Sequence, residues 1–113
     1  MKISSIDASL PFTTKDGSTI RELMHTAQQS LAEAQVGPGQ STVRHYHART
    51  EELYSFLEGG GELEIDGERR EVGAGDTALI PAGARHTITG GPDGARFLCC
   101  CVPAYSHDDT FFD

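Results

Sequence analysis

Apolar residues in this chain come in short runs. Between them stand clusters of glycine, proline and aspartate: Asp16-Gly17, Gly37-Pro38-Gly39, Gly59-Gly60-Gly61, Asp66-Gly67, Gly73-Ala74-Gly75 and Gly90-Gly91-Pro92-Asp93-Gly94. Runs of this length and spacing predict strands joined by turns, packed as a sandwich or barrel. The clearest hairpin runs from Glu62 to Val72. Its first arm alternates charged and apolar residues, which sends Leu63 and Ile65 to a core and Glu62 and Glu64 to water. Asp66-Gly67 at its tip is the favoured pair where both turn residues take positive φ.

Two segments break the alternation. Arg96 to Val102 is an almost continuous apolar strand, with Phe97, Cys99 and Cys101 on one face and Leu98, Cys100 and Val102 on the other. In Leu53-Tyr54-Ser55-Phe56-Leu57 both faces are again largely apolar, although a water-facing antiparallel sheet should alternate. The outer face of that strand is therefore expected to be covered, by the N-terminal strand or by a second subunit. A twofold homodimer is the commonest closed arrangement and is the expected assembly.

Composition narrows the partners. The 113 residues make one domain, 1–113, large enough for a core without disulfides. Nine Lys and Arg stand against 17 Asp and Glu, a net charge of −8. That balance argues against nucleic acid and anionic membrane as partners, since both need a basic footprint. No apolar stretch is long enough to span a bilayer, and Met1 to Asp7 lacks the apolar core of a signal peptide. The three cysteines are adjacent and odd in number, which is no disulfide framework. Reduced thiols without an export signal point to the cytoplasm as the expected location.

Candidate chemistry lies between Gly39 and His86. His45 and His47 are two apart in strand-like sequence, so both side chains aim at one point. Glu52 follows, and His86 comes just after the turn Pro81-Ala82-Gly83. Neutral imidazoles and a carboxylate suit Zn, Fe, Ni, Cu or Mn. Glu51 is the rival carboxylate. Glu52 shares its parity with Tyr54 and Phe56, which must fill the interior, so Glu51 points outward.

These residues resemble the two cupin motifs. Gly39, His45, His47, Glu52 and Gly59 fit the first, G-x5-H-x-H-x4-E-x6-G, over 39–59. Gly75, Pro81, Gly83 and His86 fit the second, G-x5-P-x-G-x2-H, over 75–90. Where the second motif closes on an asparagine, this chain has Gly90, at a position that is not a ligand. The resemblance implies an all-β cupin fold, a double-stranded β-helix or jelly-roll barrel. It also implies that His45, His47, Glu52 and His86 hold one divalent transition metal per subunit, whether Fe, Mn, Ni, Cu or Zn. Such a barrel needs a strand over Ser30 to Val36. Gln28, Gln29, Ala32, Glu33 and Ala34 give that region a helical flavour, but propensity is a weak prior.

Four protein donors on a six-coordinate metal leave two positions for a small-molecule substrate or for O2. The expected function is a metal-dependent enzyme of the oxygenase or oxidase type acting on a small organic molecule. Glu52 sets the site apart from thiol dioxygenases, which resemble three histidines without the glutamate. It brings it nearer to quercetinase-like, oxalate-oxidising and acireductone-type sites. The alternatives are a non-redox isomerase, epimerase or lyase, and a cupin that binds a small molecule without turnover. Tyr54 is the candidate pocket residue, and with Phe56 it makes an aromatic wall suited to an uncharged substrate. Arg49 and Arg85 near the barrel mouth offer guanidinium forks for an anion, though surface ion pairing is the favoured role. His25 and His107 are read as non-ligands. Cys99, Cys100 and Cys101 are read as packing, the sharper alternative being thiols beside the metal. The tail Pro103 to Asp113 folds over the mouth, reaches a neighbouring subunit, or frays.

Overall fold

The fold follows from two long strands that bend. A computed structural model of the chain describes residues 1–112. Strands are β1 (Phe12–Thr13), β2 (Thr19–His25), β3 (Ser30–Val36), β4 (His45–His47), β5 (Glu51–Ile65), β6 (Glu68–Gly73), β7 (Thr77–Ile80), β8 (His86–Val102) and β9 (Thr110–Phe112), with a 3-10 turn at His107–Asp109 before β9. Every pairing is antiparallel. The sheet runs β1-β2-β3-β8-β4-β9, and β5 pairs with β6, β7 and β8. The architecture is all-β and curled, the jelly-roll barrel expected. Ser30–Val36 is a strand because it is laddered between β2 and β8, a tertiary context that overrides helix propensity.

The predicted hairpin is present: Glu64 faces Arg69 and Ile65 faces Glu68, and the tip residues have φ of 49° at Asp66 and 87° at Gly67. Two other glycine clusters do not separate strands. Gly59-Gly60-Gly61 lies inside β5 and Gly90 to Gly94 inside β8. Both strands run on through them, with register shifts between Phe56 and Glu58 and between Gly59 and Gly61. The physical reason is close backbone approach at a barrel corner. A Cβ on Gly61 would overlap the Thr89 carbonyl oxygen, and one on Gly90 would overlap the Gly37 carbonyl oxygen. That second clash accounts for glycine where the motif has asparagine.

The inner face packs Tyr54, Phe56, Phe97, Leu63, Ile80 and Ile88 into one core. Ring centroids are 4.7 Å apart for Tyr54 and Phe97 and 5.0 Å for Phe56 and Phe97. Each such buried side chain contributes about 2 kcal/mol. The N-terminal strands lengthen the sheet beyond β3 and do not cover its other end. Leu53 (41 % exposed) and Leu79 (53 %) remain open there, with Leu57 and Val102.

Candidate metal centre

Register brings the four donors together. β4 pairs with β8 so that His45 sits directly opposite His86. On β5, Glu52 lies between Ile80 of β7 and Cys101 of β8. The candidate ligand atoms of His45, His47, Glu52 and His86 all lie within 4.8 Å of one another, and all four residues are buried.

Hydrogen bonds behind the rings decide what faces the centre. His45 Nδ1 donates to the Val43 carbonyl at 2.7 Å, and His86 Nδ1 donates to the Ala84 carbonyl at 3.0 Å. His47 Nδ1 lies 3.3 Å from the Asp109 carbonyl and 3.2 Å from Thr110 Oγ1. The Thr110 hydroxyl spends its own proton on the Ser106 carbonyl and so accepts from the ring. Carbonyls only accept, so the proton of each neutral ring is on Nδ1 and the Nε2 lone pairs turn inward. Glu52 Oε1 is 3.0 Å from His47 Nε2 and 3.2 Å from His86 Nε2. Oε1 and His86 Nε2 are buried without a hydrogen-bond partner among the described residues. Converging buried lone pairs of this kind call for a cation, and three imidazoles with one carboxylate fit a divalent transition metal.

The electrostatics agree. Burial disfavours a charged His47, yet the neighbouring Glu52 carboxylate raises its pKa above the ordinary value. Burial and His86 lower that of His45. Burial also opposes ionisation of Glu52, but His47 and His86 outweigh it and hold the carboxyl well below the usual carboxylate range.

Three residues around the centre carry no motif signal. Cys101 Sγ donates to Glu52 Oε2 at 3.4 Å, which leaves Oε1 to face the imidazoles. Burial and Glu52 push its thiol pKa far up, so it stays protonated. Cys99 is buried beside the site and Cys100 faces the other side of the sheet. Cys99 and Cys101 are buried, and the Cys101 thiol lies against a candidate ligand. Asp109 accepts from the Arg49 and Thr50 amides at 3.1–3.2 Å, locking the tail onto the loop after β4. The tail therefore folds back. The third residue, Asp16, was legible only as half of a turn, and its Oδ2 lies 3.5 Å from His45 Nε2.

A cavity of about 60 Å³ opens beside the donors, lined by Asp16, His45, His47, Glu52, Tyr54 and Tyr105 among others. The Tyr105 ring stands edge-on to His47 at 5.9 Å, and its hydroxyl is 3.0 Å from His107 Nδ1. Phe56 packs in the core rather than lining the cavity. No Lys or Arg is among the described lining residues. Arg49 pairs with Asp109 at 3.6 Å, and Arg85 lies 3.7 Å from the centre of the Tyr46 ring. His25 lies beside Glu22, and Glu51 is exposed.

Residues 32–101 match the family described as Cupin domain. The chain is 46 % identical to protein MJ1618 of Methanocaldococcus jannaschii, over 97 % of this chain and 94 % of that one. It is 42 % identical to dimethylsulfoniopropionate lyase DddW of Ruegeria pomeroyi, over 59 % of this chain and 43 % of that one. Among solved structures, Streptomyces Pac13, described as a nucleoside dehydratase, superposes with a TM-score of 0.84 at 18 % identity, covering 98 % of this chain and 89 % of that one. A variant of Pac13 was solved with uridine.

Proposed function

The chain belongs to the cupin family, and from that premise we propose that it is a metal-dependent enzyme that cleaves a bond in a small organic molecule by proton transfer, as a lyase or dehydratase does. His45, His47, Glu52 and His86 hold one divalent transition metal (Fe, Mn, Ni, Cu or Zn). The observation that carries the reading is a proton-bearing side chain outside the ligand set, Tyr105, on the same cavity as three of the four donors. When bound, the ion supplies Lewis-acid polarisation of a substrate oxygen. Tyr105 keeps its phenolic proton, because burial raises its pKa, and is placed to give it to a leaving group. The adjacent substrate carbon loses its proton to water. His107, 3.0 Å from the Tyr105 hydroxyl, returns a proton from water to that hydroxyl, so the proton count closes. Tyr54 and Phe97 make the apolar wall that excludes water. The lyase and dehydratase names of two similar proteins support this class over others.

A second reading is oxidative, as an oxygenase or oxidase. It is favoured by the donor set of three imidazoles and one carboxylate, which leaves two positions of a six-coordinate ion for substrate and O2. Binding without turnover is the third. One experiment separates them: purify the protein without added metal, identify the metal, and follow oxygen uptake and elimination products across hydroxylated, enediol and phenolic substrates. Elimination without oxygen uptake is expected. Oxygen uptake moves the chain to the oxidative class, and ligand binding with neither activity makes it a binding module.

The assembly we propose is a homodimer through the outer face of β5, β7 and β8. Cross-strand register lines up Leu31, Cys100, Leu53 and Leu79 in one apolar row, and rows of this kind mark interfaces. Free Cys99, Cys100 and Cys101 suit a reducing compartment, and we place the protein in the cytoplasm. Among the described residues, no helix is long and apolar enough to cross a membrane.

A further inference from the structure

We propose that Asp16 is a ligand-positioning carboxylate of the metal centre: its Oδ2 accepts a hydrogen bond from the molecule bound beside the ion, and so favours ligands that carry a proton there over anions. The inference rests on the metal reading above and goes beyond it by naming the ligand class.

The turn between β1 and β2 is built to fix this side chain. Asp16 Oδ1 takes hydrogen bonds from Thr14 Oγ1, from Ser18 Oγ at 2.6 Å and from the Ser18 amide at 2.9 Å. Those three contacts occupy one oxygen and leave the other directed at His45 Nε2, 3.5 Å away. An aspartate that merely stabilises a turn needs only Oδ1 and turns its second oxygen to water. Here the side chain is 15 % exposed and lines the cavity of the candidate ligands.

The main chain ties the carboxylate to the site. The Val43 amide donates to the Asp16 carbonyl at 2.8 Å, and the Val43 carbonyl accepts from His45 Nδ1 at 2.7 Å. Val43 thus ties the Asp16 main chain to the His45 ring, while the Thr14 and Ser18 contacts fix the Asp16 side chain. Both atoms are acceptors, since the His45 proton is on Nδ1, so a proton donor or a cation belongs between or beside them. Asp16 stands outside the group of four whose donor atoms lie within 4.8 Å of one another, which makes it a neighbour of the ion rather than one of those four ligands.

Charge sets the preference. Asp16, Glu22 and Glu52 line the cavity, with no Lys or Arg among the described lining residues. A divalent ion brings two positive charges, which the Glu52 and Asp16 carboxylates offset. An incoming anion then meets Oδ2 with no balancing cation, whereas a neutral hydroxyl or amine donates to it. The expected natural ligand is a neutral or cationic small molecule with a hydroxyl or N–H group next to its metal-binding atom.

The test uses the full chain loaded with cobalt(II) and two probes read by visible absorption: azide, an anion without a proton, and hydrazine, which carries N–H groups. Asp16→Asn removes the charge. Asp16→Ser removes Oδ2 but keeps an oxygen for the turn. Both variants should hold one cobalt per chain, and the ratio of azide to hydrazine affinity should rise about tenfold or more over wild type, a differential of about 1.4 kcal/mol. Cobalt retained with an unchanged ratio overturns the inference alone. Cobalt lost from both variants also overturns it, by making Asp16 a ligand. A wild-type chain that takes up no cobalt overturns the metal reading and this inference with it.

Discussion

His45 and His86 are direct cross-strand partners on β4 and β8, with ring centroids 4.3 Å apart. One pairing therefore joins the two cupin motifs, and the candidate centre depends on it. Replacing His47 or His86 by Ala should lower metal affinity by about 100-fold or more while the barrel still folds, because its core of Phe56, Phe97 and Ile88 lies elsewhere. Elemental analysis with circular dichroism checks both halves. Full occupancy in a His45→Ala, His86→Ala double variant ends the assignment.

Cys101 holds the back of Glu52. Cys101→Ala should free Oε2 and weaken metal binding about tenfold, the usual scale for a residue that orients a ligand. Cys100→Ala, on the opposite face of the same strand, should leave it unchanged. Chelator competition measures the difference.

Asp109 should make the tail sensitive to acid. Burial opposes its ionisation, but the Arg49 and Thr50 amides hold its pKa below the ordinary value. A group with a depressed folded pKa stabilises the fold above its unfolded value, about 3.9, and loses that contribution as pH falls toward the folded pKa. Asp109→Asn should therefore cost about 1–3 kcal/mol at pH 7, and its deficit relative to wild type should shrink below about pH 4. Urea denaturation of metal-free protein at both pH values gives the answer, and an equal deficit at each would remove the carboxylate from the account.

Gly90→Asn restores the residue of the motif and should destabilise this chain by about 1–3 kcal/mol, because its Cβ would meet the Gly37 carbonyl oxygen. A melting temperature equal to wild type would show that the corner gives way.

Leu53→Glu with Leu79→Glu puts charge into the apolar outer row and should yield a monomer of 12.1 kDa with its metal content intact. Sedimentation of wild type as a monomer at micromolar concentration would contradict the dimer outright.

The candidate donors were legible because their spacings fit two motifs and strand parity agrees with them. Strand parity alone aims His45 with His47 and Glu52 with Tyr54, and Asp66-Gly67 announces its own turn. The same rules misjudged Gly59 to Gly61 and Gly90 to Gly94. Whether a glycine ends a strand or bends it depends on which backbone lies against it, here Thr89 and Gly37. The outer face of Leu53 was legible as apolar, but whether the chain covers that face itself was not.

What the sequence by itself determined is the all-β class and the hairpin tip, which follow from local pattern, and, through the resemblance of its two motifs, the set of four candidate donors. Tertiary structure alone decided how those donors are held. Cys101 reaches Glu52, Asp109 and Thr110 reach His47, and Asp16 reaches His45 across gaps that no motif spans. A cysteine or aspartate reads the same in sequence whether it faces water or a ligand. Only closing the barrel sets the distance and burial that give its hydrogen bond a role.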